Sequence, residues 1–153
     1  MKNILKYHKN YDYYIEFLSE QFPRIPKVEI ILRNFDIICA IVDNDNSACV
    51  EEISYEVNIS EQRIRVKLRE LENEKIITSK REKKPNTSYN KKYYSTYLDK
   101  EFTDKFKKYL KCSYCGDYIG KFGGIVHINI ERSVRTAKIF CSKECRNRWC
   151  YSV

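Results

Sequence analysis

The chain has 153 residues, 42% hydrophobic and 33% charged, with a formal net charge of +8. That length suits one ordinary domain or two small ones, and 13 Tyr with 7 Phe argue against a disordered chain. No run approaches the ~20 apolar residues of a membrane span, and the stretch MKNILKYHKNYDYY has no signal-peptide core. The expectation is a cytoplasmic or nuclear protein, not secreted and with no membrane partner. Seven cysteines without an export signal suit such a reducing compartment, where thiols bind metal and do not pair. The positive charge points to a polyanionic partner, nucleic acid foremost.

Residues 1–26 read as an N-terminal helical arm. Tyr14, Ile15, Leu18 and Phe22 recur at helical spacing, and Pro23 and Pro26 stop the run. Core packing is the default use of that stripe; a homodimer contact through the arm is the alternative. Residues 27–111 form a second segment, beginning with a helix from about Lys27 to Val42. Ile30, Ile31, Phe35, Ile38 and Ile41 or Val42 would face inward, and Cys39 reads as a small core residue. Asp43–Asn46 breaks this helix, and Ser47 is the candidate cap of a short helix through about Glu56. Val50, Ile53 and Val57 give it an apolar face, and Cys49 is a second small core residue.

After Asn58-Ile59, Ser60 caps a third helix running to about Lys75, with Ile64, Leu68 and Leu71 buried. Glu61 suits the positive end of its dipole. Ile76–Arg81 and Lys92–Tyr97 are rich in strand formers and flank a polar tip, so they read as a long hairpin. A final helix over about Asp99–Lys111 carries Phe102, Phe106, Tyr109 and Leu110 as its stripe.

All four glycines lie beyond position 115, which marks 112–153 as a separate module. It opens on Cys112-Ser-Tyr-Cys115-Gly and closes on Phe140-Cys141-Ser-Lys-Glu-Cys145. Two close pairs of thiolates separated by a long loop are what a tetrahedral four-cysteine zinc site needs. Ile125–Ile130 and Arg135–Phe140 alternate as two strands, and Cys141 and Cys145 stand one helical turn apart. Knuckle, hairpin and helix are the order of a treble-clef finger. Cys112, Cys115, Cys141 and Cys145 are therefore the expected ligands of one structural Zn2+, with His127 and Cys150 the weaker substitutes. Four thiolates leave no open position for catalysis. His8 and His127 are the only histidines, so no catalytic residue and no enzyme is expected.

The module over about 112–149 resembles the L24e and TRASH zinc fingers through Cys-x-x-Cys-Gly and Phe-Cys-Ser-x-x-Cys. Lys121–Gly124 departs from the Pro-Gly turn usual there. Upstream, Val50–Ser60 followed by Ile64, Leu68 and Leu71 resembles the winged helix-turn-helix of ArsR- and MarR-like regulators. It is also similar to the archaeal initiation factor TFE, which joins such a domain to a zinc module. One departure is at Glu74-Lys75, where many of these families place a glycine.

The resemblance implies an α+β fold class: a mainly helical winged helix-turn-helix followed by a small treble-clef zinc-binding module. It implies a transcription factor that grips duplex DNA. Gln62, Arg63, Arg65, Lys67 and Arg69 of the third helix are the candidate nucleic-acid contacts. Lys80, Arg81, Lys83, Lys84, Lys91 and Lys92 of the wing join them. A TFE-like adaptor of RNA polymerase, or a ribosome-associated protein using the finger, is the alternative.

Overall fold

A computed structural model describes residues 11–83, 85, 90–116, 125–131 and 134–151. Seven helices and two antiparallel hairpins are found among the described residues. They are α1 (Tyr11–Gln21), α2 (Val28–Arg33), α3 (Phe35–Asp43), α4 (Val50–Val57), α5 (Glu61–Asn73), β1 (Ile77–Glu82), β2 (Lys91–Thr96), α6 (Lys100–Lys108), β3 (Ile125–Glu131), β4 (Val134–Phe140) and α7 (Lys143–Tyr151). The class is α+β. None of the described helices is long and apolar enough to cross a membrane.

The chain divides into two compact units, one of residues 34–103 and one combining the segments before Asn34 and after Thr103. In the first, α3 packs on α4, α4 on α5, and the β1–β2 hairpin follows. Three helices then a hairpin is the winged-helix order. Ile38, Ile41, Ile53, Ile64, Leu68 and Leu71 are fully buried and form its core. Burying such aliphatic side chains contributes about 1.5–3 kcal/mol each, so this face decides how α5 lies.

Local chemistry explains the helix ends. Ser60 caps α5, its Oγ accepting from the Arg63 amide at 3.4 Å. At the other end of α5 the Ile76 amide donates to Leu71 O and the Lys75 amide to Glu72 O, both at 3.0 Å. That pair of bonds is a Schellman motif, and Lys75 takes its left-handed position with φ 61. Asn58 does likewise after α4, with φ 55.

Two expectations need correcting. The single helix from Lys27 to Val42 is two helices, broken at Asn34. Asparagine competes for backbone hydrogen bonds and readily leaves a helix, and here its φ of −118 starts α3 afresh. Ser47 does not cap α4; Cys49 holds that position, and its amide donates to Glu52 Oε1 at 3.0 Å. Cys49 is buried, whereas Cys39 is only half-buried. The residues between are not idle, since Ala48 pairs with Tyr94 through bonds of 2.8 and 3.1 Å. This bridge ties the α3–α4 connection to the wing.

In the second unit α1 packs on α2 and runs beside β3 and β4. Tyr14 and Leu18 are buried, and the Tyr14 hydroxyl donates to the Tyr109 carbonyl. Phe22 packs tilted at 5.5 Å against Phe106 and meets Tyr109 edge-on at 5.7 Å. Tyr14 and Leu18 of the arm's stripe are thus covered within its own chain, while Ile15 and Phe22 are half-buried. β3 pairs with β4 from Ile125↔Phe140 to Glu131↔Val134, and α7 follows β4.

Candidate metal centre and nucleic-acid interface

Cys112 and Cys115 sit on a turn that closes with the Gly116 amide donating to Cys112 O at 3.0 Å. Gly116 has φ 82, a conformation that glycine adopts without steric cost. The Ser113 amide donates to Ile139 O at 2.8 Å and so fastens the knuckle to β4. Cys141 follows β4 directly, and Ser142 caps α7, accepting from the Cys145 amide at 3.2 Å. The helix therefore starts where Cys145 turns back toward Cys141.

All four sulfurs lie within 4.8 Å of one another, with Cys115–Cys141 at 3.7 Å and Cys141–Cys145 at 3.4 Å. Zinc–thiolate bonds of about 2.3 Å in a tetrahedron separate the sulfurs by roughly 3.8 Å. The donor set and its spacing fit one structural Zn2+. Burial pushes the Cys112 thiol up, but amides near Cys115, Cys141 and Tyr114 outweigh it and bring it to about 6. The Cys145 side chain, with burial, pushes the Cys141 thiol up. When bound, zinc holds the knuckle and α7 together and contributes folding free energy. Phe140, fully buried, packs at 5.6 Å against Trp149 beneath the site. His127 and Cys150 lie on β3 and α7, with side chains outside the described ones, as His8 is altogether.

The second candidate site is the basic face of α5 and the wing. With Ile64, Leu68 and Leu71 buried, Gln62, Arg63, Arg65, Val66 and Arg69 are exposed and Lys67 is half-buried. Helical spacing divides them. Arg65, Arg69 and Glu72 share one flank, while Arg63 and Lys67 share the other. Val66 stands between the two, 61% exposed.

The wing's register divides its cations as well. Arg81 lies opposite Lys92 and Ser79 opposite Tyr94, so these four share one face of the ribbon. That face meets α5: Ser79 Oγ donates to Glu72 Oε2 at 2.5 Å, and Lys92 Nζ pairs with Glu72 Oε1 at 3.6 Å. Lys80 falls on the other face, 3.5 Å from Glu82. Lys83 is exposed at the strand end, and Lys84 lies outside the described residues.

Between α5 and the wing lies a cleft of about 430 Å³. Arg65, Arg69, Arg81, Lys91 and Lys92 line it, with Glu51, Glu72 and Asn90, and with Val50 and Tyr94 as its apolar part. The Glu51 carboxyl is held low, first by a hydrogen bond from Cys49 and further by Lys91 and Arg65. Glu51, Glu72, Asn90 and Tyr94 belong to this cleft, and composition and charge do not single them out. The Arg65, Arg69, Glu72 spacing was the available signal; the hairpin register was not.

Residues 108–148 match the family of MYM-type zinc fingers with an FCS sequence motif. In this chain that tripeptide is Phe140-Cys141-Ser142, which here supply the core aromatic, a metal ligand and the α7 cap. The C-terminal segment is thus similar to a zinc finger of known type. No curated protein matches the chain. A structure from a study of how 6-hydroxynicotinic acid regulates DNA binding by Bordetella bronchiseptica BpsR is similar at 13% identity. That match covers 64% of this chain and 69% of the other, at a TM-score of 0.39.

Proposed function

We propose that the protein is a DNA-binding transcription regulator of winged-helix type, stabilised by a structural zinc finger. In this reading α5 is the recognition helix, with Gln62, Arg63, Arg65, Lys67 and Arg69 toward duplex DNA. Arg81, Lys83, Lys84, Lys91 and Lys92 form the wing contacts, while Lys80, on the reverse face of the ribbon and paired with Glu82, adds only long-range attraction. The supporting observation is the division of α5 into a fully buried aliphatic face and an outward face carrying Gln62, Arg63, Arg65 and Arg69. A helix so anchored presents a rigid, cationic surface of the width a major groove admits. The ArsR- and MarR-like resemblance agrees with it.

A salt titration tests the reading. Each phosphate neutralised adds about 0.9 to the slope of log affinity against log salt for duplex DNA. Three or four contacts from this face predict a fall of roughly 40- to 150-fold between 50 and 200 mM salt. Affinity flat across that range would refute the mechanism.

A second reading, a TFE-like adaptor acting by protein contacts, is favoured by Tyr55, 90% exposed on α4. Aromatic side chains are enriched at protein interfaces. Weak duplex binding with co-purifying RNA polymerase would select it. The likeness of the finger to L24e adds a ribosomal variant, for which zinc-dependent co-sedimentation with ribosomes is the test.

A further inference from the structure

The geometry points to the cleft between α5 and the wing as a discrete phosphate-ester site. Three observations carry this, and none requires that α5 read bases.

The first is charge. Five cationic side chains line the cleft against Glu51 and Glu72. Arg65 is further engaged at 3.5 Å by Glu61, and Lys92 by Glu72. Among the described residues Arg69 and Arg81 make no ion pair, one on each wall. The uncompensated excess is two positive charges, which matches one phosphate monoester dianion or two adjacent backbone phosphodiesters.

The second is register. Arg81 stands directly opposite Lys92 on the ribbon. Like charges across a strand pair destabilise it, and an anion placed between them reverses that repulsion. Glu72 fixes the arrangement from the α5 side, because it holds both Ser79 and Lys92. Lys92 is therefore held in place before any ligand arrives.

The third is shape. About 430 Å³ exceeds the volume of a lone phosphate and falls in the range of small-molecule sites. Val50 and Tyr94 supply apolar surface at which charge is less screened. The ligand class is thus a phosphate group on an organic body of nucleotide size. Two sources share that chemistry: a backbone nucleotide of duplex DNA, and a soluble phosphate ester.

Titrating the full-length zinc-loaded protein with inorganic pyrophosphate, by calorimetry, tests the assignment. One-to-one saturable binding is expected, weakened about tenfold or more by Arg69→Gln or Arg81→Gln, the size of one charge-assisted hydrogen bond. Arg24→Gln and Lys108→Gln, exposed cations far along the sequence from the cleft, should leave it unchanged. Non-saturable binding, or equal losses in the control variants, would overturn the site.

Pyrophosphate added to a preformed duplex complex separates the sources. Displacement of the duplex assigns the cleft to a backbone phosphate, whereas simultaneous binding assigns it to a soluble ester. Pyrophosphate binding by a protein that ignores duplex DNA would sink the proposed function and leave this site standing. Duplex binding without saturable pyrophosphate binding would do the reverse.

Discussion

Asn46 holds Thr96 by a reciprocal pair of hydrogen bonds across 50 residues of sequence. Its Nδ2 donates to Thr96 O at 3.0 Å, and its Oδ1 accepts from the Thr96 amide at 2.8 Å. Thr96 in turn donates its hydroxyl to Ile76 O at 2.9 Å. One side chain in the α3–α4 connection thus fastens the base of the wing at the end of β2. Asn46 does this from a left-handed backbone, φ 59, that asparagine tolerates better than most residues.

Asn46→Gly isolates the two bonds, because glycine keeps that backbone conformation without strain. The expected loss is about 1–2 kcal/mol, since the bonds are partly exposed and water replaces them in part. Urea unfolding followed by a probe in residues 34–103 measures it. A midpoint equal to wild type would mean that the clamp contributes nothing and that the Ala48–Tyr94 bridge holds the wing base alone.

Lys75 gives the opposite sign. A non-glycine residue in the left-handed region costs about 1–2 kcal/mol, while glycine loses roughly 0.4–1 kcal/mol through the freedom of the unfolded chain. Lys75→Gly should therefore stabilise the unit by about 0.5–1 kcal/mol, and Lys75→Ala should not. Equal stability of the two variants would remove the argument. Lys75 thus holds, with a side chain, a left-handed backbone position that glycine takes without strain.

Much of this was legible because periodicity encodes burial. Ile64, Leu68 and Leu71 mark the inner face of α5 in any reading, and two cysteine pairs mark a metal site by spacing alone. Legibility failed where tertiary partners decide. Ser47 and Cys49 both precede α4, and only the Glu52 carboxylate selects Cys49 as the cap. Asn34 breaks a run whose apolar spacing continues across it. The wing's cations look alike in sequence, yet a register that sets Arg81 against Lys92 sends Lys80 to the opposite face. The arm was equally ambiguous, since nothing in Tyr14 or Leu18 announces β3 and β4 as neighbours of α1.

That neighbourhood makes the zinc site matter beyond its own residues. Cys115→Ser or Cys145→Ser removes one of four thiolates, and structural zinc contributes on the order of 10 kcal/mol to the folding of such modules. Hydrogen exchange should quicken along 112–151 and also in α1, which lies beside the β3–β4 hairpin. Amides of α3, α4 and α5 should keep their protection. Phe140→Ala should weaken the same unit by about 3–5 kcal/mol through its lost packing on Trp149. If α1 kept its protection in the cysteine variants, its packing would be independent of the metal.

The two faces of the wing offer a sharper test of DNA binding than affinity alone. Arg69 and Arg81 point into the cleft that faces α5, whereas Lys80 is on the reverse of the ribbon and already pairs with Glu82. If duplex DNA lies against α5 and this side of the wing, Arg69→Ala and Arg81→Ala should each lower the salt slope by about one. Lys80→Ala should lower it by less, because its charge reaches the duplex only through screened solvent. Fluorescence anisotropy on a labelled duplex at four or five salt concentrations measures all three slopes. Lys80→Ala matching Arg81→Ala would mean that the duplex does not distinguish the two faces of the ribbon, and the placement of DNA against α5 would fall.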